Sequence, residues 1–253
     1  QFGSFVTKEL IERNRNFRQL VCRYTPAMAK NLLLVHGAWH SGSGFKSLQS
    51  ELNNLGINSN TVELSSVAAA GEPIGDMYKD SEIVRKAAEE FSEGCVVLGH
   101  SYGGLPITQG LVNSTNVSGL IYLCAFMLDA SETLYAACGS QDPDWWVRKP
   151  GGERLSAARP EEIFYNQCEA QTAKEAAASL RDQSLLAFNQ PITEVAWKQI
   201  KSTYIICEND QAIPLFAQEA MSKRANKVIR MGSDHSPFLS APTELAKIIS
   251  ELI

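Results

Sequence analysis

The stretch Cys95–Asn113, CVVLGHSYGGLPITQGLVN, decides the fold. Its first four residues are an apolar, β-branched run of strand length, and from Gly104 onward the apolar residues recur at helical spacing. Only GHSYGG, residues 99–104, joins the two. A serine on so sharp a strand-to-helix turn takes strained backbone angles, and the turn closes only if the residues two before and two after it are small, here Gly99 and Gly103. The Ser101 hydroxyl then stands exposed. The N-terminus of the following helix directs free N–H groups and its positive dipole end at the same space, which favours an anionic tetrahedral intermediate. Ser101 is therefore the expected nucleophile.

Working outward, short apolar runs begin at Asn31 (NLLLV), Asn58 (NSNTVEL), Cys95 (CVVLG), Gly119 (GLIYLC), Ser202 (STYIIC) and Asn226 (NKVIRM). Between them lie amphipathic segments such as FKSLQSELNNLG, IGDMYKDSEIVRKAAEEF, PLFAQEAMSKRA and PTELAKIISELI. Buried strands alternating with helices specify an α/β fold, because each parallel crossover needs a helix-length connection. A mainly parallel six-stranded sheet with helices on both faces is expected. The alternation breaks from about residue 128 to 197, where DPDWW, RKPGGE, ARPEEIFYNQC and AKEAAASLRDQ offer no convincing strand. This interval is expected to be a cap of helix and loop over the strand C-terminal ends, where such folds bind ligands.

Composition bounds the rest. The chain has 253 residues, 44% hydrophobic and 20% charged, and suits one globular domain spanning residues 28–253. No apolar run reaches the ~18 residues needed to cross a bilayer. A net charge of −5 without a basic cluster beyond the first thirty residues argues against a nucleic-acid partner. Six scattered cysteines show no metal-ligand spacing, and Cys95, Cys124 and Cys207 sit in apolar runs. They read as buried, reduced thiols of a cytoplasmic protein, with no metal and no cofactor expected. Residues 1–27 differ in composition and read as a leader, or else as an amphipathic helix, KELIERNRNFRQLV, packing on the domain.

A serine hydroxyl needs a base, and the base needs a carboxylate to orient it. Of the four histidines, His36 and His100 read as structural and His40 as lining the pocket mouth. His235, in the loop after the last strand, fits the base. Asp210 follows the strand STYIIC and lies between serine and histidine in chain order; Asp129 is its competitor. Asp234 reads as a loop-capping group and Glu208 as too near its strand. The Tyr102 amide and an amide from the Gly-rich loop after the first strand, assigned to Ala38, are the expected oxyanion donors.

LLLVHGAWHSGSGF, GHSYGG, ENDQAIP and GSDHSPFLSAP together resemble the α/β-hydrolase superfamily. The resemblance is nearest to the branch of plant methyl esterases, hydroxynitrile lyases and pyrethroid-hydrolase-type esterases. By position it implies the same roles for Ser101, Asp210, His235, Ala38 and Tyr102. Lyases of that branch place a lysine after the catalytic histidine and a threonine where this chain has Gly37. Here the residue after His235 is Ser236, so the resemblance implies ester hydrolysis. A small lipophilic ester, with methyl esters the leading guess on the resemblance alone, is the expected substrate. Trp39, His40, Phe126, Leu128, Trp145, Trp146, Phe164, Tyr165, Phe188 and Ser236 are the candidate contacts. Two rivals are a slow or non-catalytic receptor on the same fold and another serine-dependent acyl chemistry, such as lactone or thioester hydrolysis. A homodimer is left open.

Overall fold

The computed structural model describes residues 30–253; the expectations for residues 1–27 and for Cys22 lie outside them. Six strands, β1 (Lys30–Val35), β2 (Ile57–Thr61), β4 (Cys95–His100), β5 (Val117–Leu123), β9 (Ser202–Cys207) and β10 (Lys227–Met231), form one sheet in the order β10-β9-β5-β4-β1-β2. The pairs β10/β9, β9/β5, β5/β4 and β4/β1 are parallel, with Leu34 opposite Leu98 and Leu98 opposite Ile121. These are the six runs expected from sequence.

Alternate residues of the central strands enter two separate cores, as a period of two requires. Leu32, Leu34, Val96 and Leu98 pack on one face with Leu48 and Leu52 of helix Lys46–Asn54 and Leu245 and Ile249 of helix Pro242–Ser250. Leu33, Val35 and Val97 pack on the other with Val84 of helix Met77–Glu89 and Leu105 of helix Gly104–Gly110. Burial of the strands on both faces is what makes their sequences continuously apolar. Parallel direction also brings the loops after β1, β4, β9 and β10 to one edge of the sheet.

The interval 128–197 does hold short helices, among them Pro160–Ile163, Ala170–Ala178 and Leu185–Asn189. It is not helix and loop alone. A second, antiparallel sheet runs β3 (Val67–Ala68), β8 (Asp182–Ser184), β7 (Arg154–Ala157), β6 (Trp146–Arg148). Three of its strands lie in the interval, but none exceeds four residues, too few to display a period of two. Their pairing is long-range: Leu155 lies opposite Gln183, and the Ser184 N–H donates to the Ser66 carbonyl at 2.8 Å. The cap is thus anchored to the loop after β2.

Among the described residues the cysteines Cys95, Cys124, Cys138, Cys168 and Cys207 are free thiols, the first, second and last of them buried. No helix there is long and apolar enough to cross a membrane.

Candidate active site

β4 ends at His100, and the chain turns at Ser101, whose φ of +54° lies in the left-handed region that costs a non-glycine residue strain. Residues Ser101–Gly103 make one 3-10 turn before helix Gly104–Gly110 begins. The turn has no room for side chains on its inner side. A Cβ on Gly99 would lie 2.6 Å from the Gly103 carbonyl oxygen, and one on Gly103 would lie 2.6 Å from that of Val35. The Phe126 N–H donates to the Ser101 carbonyl at 3.0 Å, fastening the turn to the neighbouring strand's loop.

His235, in the loop after β10, and Asp210, in the loop after β9, meet with Nδ1 and Oδ2 2.7 Å apart. Facing a carboxylate, Nδ1 carries the proton and Nε2 is left as an acceptor. The Asp210 carboxylate also accepts the N–H groups of Ala212 at 2.7 Å and Ile213 at 2.9 Å, and the Gln218 side-chain amide at 3.1 Å. Gln218, on helix Leu215–Ser222, reaches back to the Cys207 N–H and carbonyl as well, which fixes the loop that carries the acid. Asp129 is elsewhere: its side chain is about a third exposed, and its carboxylate pairs with Lys198 at 2.5 Å. Glu208 pairs with Arg230 at 3.1 Å. Asp234 turns away from the His235 ring, as a loop cap should, and is fully buried.

Ala38 and Tyr102 come together although 64 positions separate them, because β1 and β4 are neighbours in the sheet. Trp39 next to Ala38 has φ +63°, so the loop after β1 bends back sharply there. Tyr102 is held from behind: its hydroxyl donates to Asp80 at 2.7 Å, and Asp80 also takes the Ser65 hydroxyl and the Ser66 N–H. Burial pushes the Asp80 carboxyl up from the usual range and the Tyr102 hydroxyl well up.

Ser101 and His235 line one cavity together with Ala38 and Tyr102. Trp39, Phe126, Trp145, Trp146, Phe164 and Phe188 form its walls, all of them residues singled out from the sequence. Trp145 and Phe188 pack edge to face against Trp39, at 5.3 Å and 5.7 Å between centroids, and Phe164 stacks on it. Leu134, Cys138, Pro143, Ala212 and Ile213 complete the lining and were missed. Ala212 and Ile213 lie two and three residues after the acid and face the cavity because their N–H groups wrap its carboxylate. No Lys, Arg, Asp or Glu is among the lining residues.

Four expected contacts lie off this cavity. The His40 ring is spent between the Ala38 carbonyl (2.7 Å) and the Tyr165 hydroxyl (3.0 Å), and both residues border a separate, more polar hollow. Leu128 is buried beneath Trp197, which donates to its carbonyl. Ser236 is fully buried with its N–H on Asp234. His36 and His100 are structural, as read: His36 takes the Leu64 N–H, and His100 Nε2 donates to the His235 carbonyl at 2.8 Å. Cys124 approaches that same carbonyl, so His100, Cys124 and His235 cluster. Burial pushes the Cys124 thiol well up, which opposes the thiolate a metal would need.

Three buried neutral histidines carry a pH prediction. Burial lowers His36, takes His40 down to about 3 and holds His100 well below its ordinary value. Below the unfolded value of about 6.5 the unfolded chain binds protons that the native state refuses, so stability falls on acidification by up to about 1.4 kcal/mol per pH unit per histidine. Above pH 7.5 the effect is absent. The thermal midpoint is expected to drop steadily from pH 7 to pH 5, and His40→Gln to lessen the slope; a flat profile would contradict the buried, neutral assignment.

Comparison with known proteins places the chain among relatives. The model of a family described as "Alpha/beta hydrolase family" matches residues 32–248. The α/β hydrolase nvfD of Aspergillus novofumigatus is 31% identical over 86% of this chain and 94% of its own length. Among solved structures, a pyrethroid hydrolase from Sphingobium faniae superimposes with a TM-score of 0.78 at 23% identity, covering 88% of this chain and 96% of that one. A methylesterase from Arabidopsis gives 0.73 at 21%, covering 88% and 98%.

Proposed function

The chain belongs to the α/β-hydrolase family, and we propose that within it the protein is a serine carboxylesterase acting on small, lipophilic esters of short alcohols. One observation carries the reading: His235, oriented by Asp210 at 2.7 Å, lines the same cavity as a serine held on a strained turn. Ser101 Oγ attacks the ester carbonyl while His235 Nε2 takes its proton. The carbonyl oxygen becomes an oxyanion and is received by the N–H groups of Ala38 and Tyr102. Collapse expels the alcohol, which leaves with the proton from Nε2. Water then enters, gives a proton to Nε2 and its oxygen to the acyl carbon, and the carboxylic acid departs as Ser101 regains its proton.

The substrate class follows from the walls. Aromatic and aliphatic walls without a charged side chain favour a neutral substrate over an ionic one. The relatives act, by their names, as a pyrethroid hydrolase and a methylesterase, which supports ester chemistry and the short-alcohol preference.

A panel of short aryl esters tests this. Many equivalents of alcohol per protein are expected, together with no cleavage of mandelonitrile. Release of no more than one equivalent from every ester would replace the enzyme reading with that of a ligand receptor. Turnover confined to lactones or thioesters would move the protein to another acyl chemistry.

A further inference from the structure

Five consecutive cap residues reach three of the loops that carry the proposed machinery, those after β1, β9 and β10. The Phe164 ring lies 5.6 Å from that of His235 and stacks on Trp39 at 5.8 Å. The Tyr165 hydroxyl meets His40, which in turn holds the Ala38 carbonyl. The Asn166 side chain donates to the carbonyl of Asn209, the residue before the acid, at 3.2 Å. The Gln167 N–H donates to Asp234 Oδ2 at 3.0 Å, and the Cys168 thiol approaches the same oxygen at 3.7 Å. The other Asp234 oxygen accepts the Ser236 N–H at 3.1 Å and the Ser240 hydroxyl at 2.6 Å.

Asp234 therefore divides its two oxygens between two parts of the chain. One holds the loop of His235 and the other holds the cap, about 66 residues away. The carboxylate is fully buried, and among the described residues it makes no ion pair, so these donors are what satisfy it. We propose that Asp234 is a positioning residue that latches cap segment 164–168 to the base loop, so that closure of the cap over a small ester and alignment of His235 are one event. The proposal rests on the esterase reading for its kinetic part alone. A latch of this kind sets size selectivity: a short ester fits beneath the closed segment, whereas a bulky one requires the ties to open.

Asp234→Asn separates the two oxygens' duties. Its single amide oxygen keeps Ser236 and Ser240, while its NH₂ group confronts the Gln167 N–H, donor against donor. Hydrogen exchange of the peptide containing Gln167 is expected to accelerate by about 10- to 100-fold, the loss of one hydrogen bond to a charged group, while the β4 and β5 peptides keep wild-type protection. With a short and a bulky aryl ester, kcat for the short one is expected to fall while the bulky-to-short ratio of kcat/KM rises. The double variant Asn166→Ala/Cys168→Ala cuts ties from the cap side and is expected to raise exchange and that ratio too, which keeps the test open should Asp234→Asn fail to fold. Unchanged exchange at the Gln167 peptide in a folded Asp234→Asn protein overturns the latch, as does an equal loss on both esters. If the wild type turns over no ester, the esterase reading falls, and exchange alone decides the tie.

Discussion

Replacing Ser101 by alanine is expected to lower ester turnover by about 10⁴- to 10⁶-fold and leave the fold intact. The change removes one oxygen and nothing else that the turn depends on. Alanine accepts the same φ of +54° on the same terms as serine, the bond from the Phe126 N–H to the carbonyl of residue 101 is a backbone bond, and the close approaches of Gly99 and Gly103 are unaffected. The residual rate should be that of a bound ester beside two amide donors, still above the rate in water. Steady-state kinetics on a short aryl ester, with a melting curve for each protein, makes the measurement. A loss of less than about tenfold would mean that the reaction does not pass through this hydroxyl.

Asp210→Asn has the second largest effect, about 10⁴-fold in kcat with KM little changed, for a reason visible in the donors around the acid. Four groups give hydrogen bonds to this carboxylate: two N–H groups on Oδ1, and the Gln218 amide and His235 Nδ1 on Oδ2. An asparagine that turns its oxygen toward Ala212 and Ile213 presents its NH₂ group to His235. Nδ1 must then become the acceptor, the proton moves to Nε2, and the imidazole faces the serine with no lone pair to offer. Asp129→Asn serves as the control. That side chain pairs with Lys198 at the surface, and its replacement is expected to change kcat by less than about twofold, in keeping with the small worth of exposed ion pairs. If Asp129→Asn had the large effect and Asp210→Asn the small one, the roles would be reversed.

Sequence carried the sheet, and it pointed to the three residues of the proposed machinery, because each was written in local chemistry. Gly99 and Gly103 bracket Ser101 at the only spacing a closed elbow allows, and parallel strands of six residues buried on both faces leave unmistakable apolar runs. Asp210 and His235 were legible as the polar residues just past the last two strands, since parallel order brings those ends to one edge. The cap was not legible in the same way. Its strands are three and four residues long and exist only because Trp146 pairs with Ala157 and Gln183 with Leu155. Which cap side chains face the cavity depends on that pairing. Hence Leu134, Cys138 and Pro143 went unnoticed, whereas His40 and Tyr165, which read as ligand contacts, are used up on each other. The two-sided bonding of Asp234 left no mark either, because its cap partners lie far along the chain from the histidine beside it.

The central claim is that one hydroxyl, at position 101, is activated by the ring at 235. A serine-directed aryl phosphonate followed by intact-protein and peptide mass spectrometry measures this most directly. One adduct per chain on the peptide containing Ser101 is expected, formed in the wild type, lost in Ser101→Ala and slowed by several orders of magnitude in Asp210→Asn. An adduct on another residue, or labelling of Ser101 at the same rate when Asp210 is replaced, would contradict it.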